Sequence, residues 1–171
     1  YKKKYKKKIK FFVNKNLNQS QAINFGIKIA KGKWVTWMNG DDYYFDLNSL
    51  SNFYKSIRKT PAKKIHYGNL MLVDENSKRL KLIKYMKTSY LSLLYEGMTL
   101  SNHSLVWDIS LNYKIGNLIN TRVDFDYEWF LRVFHHFPEC GKYINDQFGA
   151  FRIHKNQKTY RKTKLEIRNQ N

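Results

Sequence analysis

Asp41 and Asp42 are adjacent carboxylates that follow the apolar run Trp34-Val35-Thr36-Trp37-Met38 and the turn Asn39-Gly40. Two such groups repel each other unless positive charge lies between or beyond them. Their hard oxygens suit Mn2+ or Mg2+, with phosphate oxygens completing the shell. Asn-Gly-Asp-Asp is also good turn chemistry, so the same residues read as a solvated turn. A second acidic group, Asp124-Phe125-Asp126-Tyr127-Glu128, opens a helical pattern. The helix dipole favours acids in a first turn, but capping alone explains only one of them.

The elements around these acids can be read from periodicity. Trp34 to Met38 reads as a short, buried parallel strand, and open α/β sheets bind ligands just past the carboxyl ends of such strands. Upstream, Asn18 can cap a helix with Gln21 three residues on; Ile23, Gly26, Ile27 and Ala30 form its apolar stripe, and Gly32 supplies the stop. Ala22, Gly26 and Ala30 fall on one face, which predicts close approach of that helix to the sheet. Gly26 costs roughly 1 kcal/mol of propensity against Ala, which points to a packing need. Helices are predicted at about Asn18 to Lys31, Leu47 to Lys59, Tyr90 to Glu96 and Phe125 to His136, and strands at Ile9 to Val13 and Gly149 to Ile153. In the last helix Trp129, Phe130, Val133, Phe134 and Phe137 form the core side. Arg132 either pairs with an acid or flanks the site, while His135 and His136 complement the C-terminal dipole.

With 171 residues, 42% of them apolar and 16% aromatic, the chain suits one folded domain with a real core. The net charge of +19 would ordinarily point to nucleic acid or an anionic membrane. The lysines are spread widely, however, and are not interleaved with aromatics on one module, which ranks nucleic acid below an enzyme. The exception is residues 1–10, where seven are Lys. They read as a solvated basic arm or as a segment contacting anionic lipid. No stretch approaches the roughly 18 apolar residues of a membrane span, and no signal peptide is visible. Cys140 is the only cysteine, which excludes an intrachain disulfide and fits a cytoplasmic setting, membrane-peripheral if the arm binds lipid.

From Asn18 to Tyr44 the pattern N-x-x-Q-A-I-N-x-G-x-x-x-A-x-G, an apolar strand and N-x-D-D resembles the donor-binding half of a glycosyltransferase family 2 domain. The resemblance continues in order. Ile65-His66-Tyr67-Gly68-Asn69 with Asp74-Glu75-Asn76 resembles the next strand and hairpin, Asn102-His103-Ser104-Leu105-Val106-Trp107 a histidine-led segment, and Ile115-Gly116 follows it. Asp126-Tyr127-Glu128-Trp129-Phe130-Leu131-Arg132 resembles the acidic helix, and Phe151-Arg152-Ile153-His154 the last strand.

The resemblance implies an α/β domain of the GT-A (Rossmann-like) fold, a mainly parallel sheet flanked by helices. Nothing before Asn18 matches the family's opening strand, helix and strand, and the chain begins with Tyr, which implies an N-terminally truncated domain over residues 11–155 with a basic polar tail at 156–171. It further implies a hexosyltransferase-type enzyme, metal-dependent and inverting, that moves a sugar from a nucleotide-sugar donor to the hydroxyl of a saccharide or other acceptor. Asp42, Asp41 and His154 would hold Mn2+ or Mg2+, with Asp42 leading. Asp41, Asp42, Asn24 and Arg152 would form the donor-binding set, Arg152 or Lys155 screening leaving-group charge. Asp126 would be the catalytic base, with Asp124 as the fallback, and His103 would contact the acceptor or close a loop. The alternatives are a basic nucleic-acid-binding domain and an inactive glycosyltransferase-like remnant.

Overall fold

A computed structural model describes residues 9–13, 16–121 and 124–157. The arm expected over residues 1–10 lies outside this range except for Ile9 and Lys10, as does the tail over 156–171 except for Asn156 and Gln157. Asn18 opens α1 (Gln19–Ile29) through a reciprocal box. Its side chain accepts the Gln21 N–H, and the Gln21 carboxamide accepts the Asn18 N–H, both at 3.0 Å. A cap of this kind contributes about 1 kcal/mol. The chain continues through β1 (Trp34–Val35), β2 (Tyr43–Tyr44), α2 (Ser49–Lys59), β3 (Ile65–Val73), β4 (Arg79–Ile83) and α3 (Tyr90–Glu96). A 3-10 turn (Asn102–Ser104) then leads to β5 (Leu105–Asp108), α4 (Ser110–Ile115), α5 (Phe125–His136) and β6 (Gly141–Arg152). All four predicted helices are present.

β3 is the centre of the sheet, and all nine of its residues are buried. The strand order is β1-β5-β3-β6-β2, with β4 also pairing β3. β6 runs parallel to β3 from Ile65 opposite Gly141 to Val73 opposite Arg152. The α/β class holds, but a mainly parallel sheet does not: among the described residues β3 with β6 is the parallel pair, and the β1–β5, β2–β6, β3–β4 and β3–β5 pairs are antiparallel. The sheet is mixed because β4 returns from β3 through a tight turn and β5 and β2 approach from the opposite direction.

The main core lies between the sheet and α5. Trp129, Phe130, Val133 and Phe134 of α5 meet Tyr67, Leu105 and Trp107, with Leu93 of α3 and Leu111 of α4 closing the ends. Full burial of each large apolar side chain stabilises the fold by roughly 1.5–3 kcal/mol. On the other face Phe53 of α2 stacks on Phe148 at 3.7 Å between ring centres. Two glycines permit this packing. A Cβ at Gly68 would lie 2.3 Å from the Phe148 ring, and one at Gly149 would lie 2.1 Å from the His103 carbonyl oxygen. Gly149 therefore lets the 3-10 turn rest directly on the sheet.

Three local readings need correction. Trp34 to Met38 is not a buried parallel strand: β1 is a two-residue edge, half-buried and antiparallel to β5. Its apolar run serves two faces, with Trp34 packing beside Phe53 and Phe148 while Val35 and Trp37 join the main core. Ala22, Gly26 and Ala30 face solvent, and a Cβ at Gly26 would meet nothing within 4 Å, so no close packing explains that glycine. Ile9 to Val13 forms no strand. Cys140 is buried, and burial pushes its thiol up to about 12. Among the described residues no helix is long and apolar enough to cross a membrane.

Candidate active site

The acids occupy the turn between β1 and β2, and the pairing of β2 with β6, Tyr43 opposite Ala150, lays that turn against the end of β6. The two carboxylates then diverge. Asp42 turns inward with its side chain fully buried. Its Oδ1 accepts the Arg152 backbone N–H at 2.9 Å, and its Oδ2 lies 3.1 Å from Asn39 Nδ2 and 3.0 Å from His103 Nε2. Asp41 turns outward with 40% of its side chain exposed, and its Oδ2 is 2.9 Å from His154 Nε2. That hydrogen bond holds the Asp41 carboxyl below the usual carboxylate range despite partial burial.

His103 is buried in the 3-10 turn with its ring against Phe151. Ser101 Oγ lies 3.0 Å from its Nδ1 and also accepts the His103 N–H at 3.3 Å. Asn39 Nδ2 is 2.9 Å from Nε2, the same nitrogen that faces Asp42. With the Ser101 hydroxyl donating to Nδ1, Nε2–H donates to the Asp42 carboxylate, which can only accept, and Asn39 Nδ2 donates to the same Oδ2 rather than to the ring. Gln19 Nε2 donates to Asn39 Oδ1 at 2.9 Å, so the cap region of α1 fixes the amide that fixes Asp42.

Asp126 comes from the first turn of α5, where its Oδ1 accepts the Tyr127 N–H at 2.9 Å. Burial pushes its carboxyl above the usual range, opposed only in part by backbone N–H groups and by His103. His103 also acts electrostatically on Asp41, as it does on Asp126. Asp124 is the N-cap residue, left-handed at φ 63°, with no capping hydrogen bond from its side chain. Tyr127 donates its hydroxyl to the Leu93 carbonyl at 2.6 Å, which binds α5 to α3 beside Asp126.

Other residues singled out in the sequence are spoken for elsewhere. Asn24 clamps α1 to the loop before α5, its amide donating to the Leu118 carbonyl at 2.8 Å and accepting the Leu118 N–H at 3.1 Å. The Arg152 guanidinium is turned to carbonyls, Nε donating to Asp41 O at 2.9 Å and a terminal nitrogen to Glu75 O at 2.8 Å. It staples the acid turn to the β3–β4 hairpin. Arg132 pairs with Glu128 and donates to the Ile115 and Asn117 carbonyls. His136 Nδ1 lies 2.9 Å from the Arg132 carbonyl, and the His135 ring packs on Tyr90.

The Asp41–His154 pair fits a divalent ion by its chemistry. Two neighbouring ligands of an octahedral ion at about 2.1 Å stand roughly 3 Å apart, and an exposed carboxylate beside an imidazole suits Mn2+ well. Asp42, expected to lead, has Oδ1 on the Arg152 N–H and Oδ2 beside Asn39 and His103. Among the described residues no group of three or more His, Cys, Asp and Glu is gathered that could hold a metal ion. Sequence reasoning undervalued Asn39, read only as a turn residue, and Ser101. The one available signal was the placement of Asn39 within the acidic turn itself.

Several known proteins are similar to part of this chain. An uncharacterized glycosyltransferase of Rickettsia felis is 35% identical over 81 residues, 47% of this chain and 13% of that protein. One from Rickettsia bellii is 37% identical over 81 residues, 47% of this chain and 12% of its own length. A third, from Rickettsia typhi, is 32% identical over 81 residues, 25% of its length. The chain thus matches a small part of each relative. The model of glycosyl transferase family 2 matches residues 1–152, spanning the acid turn, His103, Asp126 and Arg152, and the chain therefore belongs to glycosyl transferase family 2.

Proposed function

We propose that this domain transfers a sugar from a nucleotide-sugar donor to the hydroxyl of a saccharide or other acceptor, with inversion at the anomeric carbon. The observation that carries the reading is the separation of two kinds of acid around His103. Asp41, exposed and held ionised by His154, suits a cation and phosphates; Asp126, raised by burial, suits proton transfer. Asp41 and His154 would hold Mn2+ or Mg2+, which when bound would offset the charge of the departing nucleoside diphosphate. Asp42 keeps the turn in register through Arg152, Asn39 and His103.

Asp126 takes the proton from the acceptor hydroxyl as that oxygen forms its bond to the anomeric carbon. The bond from that carbon to the diphosphate oxygen breaks, and its electron pair leaves with the nucleotide. A base must titrate near working pH to be effective, and burial moves Asp126 in that direction. The test uses the full-length protein from its natural source. Asp126→Asn should lower transfer by roughly 10² to 10⁴-fold while retaining donor binding. Asp41→Asn should abolish the Mn2+-dependent part of nucleoside diphosphate binding measured by calorimetry. Near-normal transfer by a folded Asp126→Asn protein would remove Asp126 from the chemistry.

A further inference from the structure

α3 is a seven-residue helix that is apolar on both sides. Leu93 points into the core and is fully buried, while Leu91, Leu94 and Tyr95, at i, i+3 and i+4, present a second stripe to solvent. Tyr95 is 85% exposed. Met86 before the helix and Met98 after it are also exposed. The two ends of this excursion are pinned together. The Tyr67 hydroxyl donates to Met86 O at 2.9 Å and accepts the Thr88 N–H at 2.6 Å, and the Thr88 hydroxyl donates to Thr99 O at 3.0 Å. The segment is therefore tied at both ends, its inner face anchored and its outer face apolar. Among the described residues nothing packs on that outer face, and exposed apolar stripes of this kind mark interaction surfaces.

The charges around the stripe say what it meets. Within residues 84–98 the cations are Lys84 and Lys87, against one acid, Glu96. Lys84 and Lys87 are exposed and immediately precede the helix. Lys87 lies 3.2 Å from Glu139, a pair that is exposed on both sides and therefore weak. Apolar side chains that can enter an acyl boundary, flanked by lysines that can reach phosphates, are the recipe for an interfacial membrane surface. A second copy of the chain is disfavoured as occupant, because it would bring the same cations against these in a protein of net charge +19.

We propose that residues 84–98 form a docking surface for an anionic lipid bilayer, with Leu91, Leu94 and Tyr95 inserted and Lys84 and Lys87 on the headgroups. This goes beyond sugar transfer and can be tested without it. The whole protein is sedimented with phosphatidylcholine vesicles with and without phosphatidylglycerol. Binding should require the anionic lipid and weaken with salt. The variant Leu91→Ser/Leu94→Ser/Tyr95→Ser, which keeps every lysine, should bind about tenfold or more weakly, as should Lys84→Glu/Lys87→Glu. A Tyr95→Trp reporter should shift to the blue on anionic vesicles and be quenched by brominated lipid, relative to the parent protein. The proposal is overturned if anionic vesicles do not bind, if the triple variant binds unchanged, or if the reporter stays water-like while the protein is bound. It is equally overturned if light scattering shows a dimer that the triple variant abolishes, since a second copy would then cover the stripe.

Discussion

Replacing Asp42 by Asn separates a buried organising group from an exposed ligand, because it keeps the shape and removes one acceptor. In the native turn Oδ1 faces one donor, the Arg152 N–H, and Oδ2 faces the Asn39 amide and His103. If the new amide keeps its oxygen toward Arg152, its NH2 meets Asn39 Nδ2, which cannot flip without losing Gln19. His103 can adapt by presenting a bare Nε2 and donating from Nδ1 to Ser101, but that single lone pair cannot serve both the new amide and Asn39 Nδ2, so one donor remains orphaned. An unsatisfied buried donor costs about 1–3 kcal/mol. Opposing it is relief of repulsion between the neighbouring carboxylates, about 1 kcal/mol for charges 4 Å apart in water, screened on the exposed Asp41 side and offset there by His154. The orphaned donor wins. With chelator present, Asp42→Asn should lose about 2 kcal/mol in urea unfolding, or about 4–8 °C in Tm for a domain of this size. Asp41→Asn, half-exposed, should stay within about 0.5 kcal/mol. Equal effects, or a gain in stability from Asp42→Asn, would refute the inward placement of Asp42.

Gly149→Ala should destabilise by about 3 kcal/mol, since its Cβ would sit 2.1 Å from a backbone oxygen that only a shift of the 3-10 turn can relieve. Gly26→Ala, mid-helix and open to solvent, should instead stabilise by roughly 0.5–1 kcal/mol in the same urea assay. Asp126 is raised in the fold, so its contribution is most favourable below the unfolded value and is lost as pH rises through the folded one. Asp126→Asn should therefore raise Tm at neutral pH, with the gain vanishing as pH falls below about 4, and a Tm difference independent of pH would count against the burial argument.

The helices were legible because their signals are local. The Asn18–Gln21 box and the spacing of Trp129, Phe130, Val133 and Phe134 fix a start and a buried face within a few turns. Strand direction was not legible. The apolar run at Trp34 reads as parallel and buried, but its two faces are filled by residues far along the chain, Phe148 on one side and Trp107 on the other. The same holds within the site. Sequence placed Asp41, Asp42, His154 and Asp126 in chemically suitable segments, yet which acid turns inward depends on a backbone N–H 110 residues away. Side-chain type cannot report a main-chain donor, and for that reason the sequence leaves open which of Asp41 and Asp42 is buried.

The acids ride on a turn with little structure of its own, so their precision must be imported from rigid neighbours. β6 supplies most of it. Its parallel register with β3 fixes Arg152, whose N–H holds Asp42, while its end carries His154 to Asp41. Asp126 arrives by another route, on α5, which is set by the main core and by Tyr127 on α3. The two routes meet at His103. Its turn is seated by Gly149 beneath it and by the Ser104 hydroxyl donating to the Gly68 carbonyl at 2.8 Å. A single packing fault at Gly149 should therefore disturb both halves of the site at once, whereas a fault in α5 should move Asp126 and leave Asp41 and His154 in place.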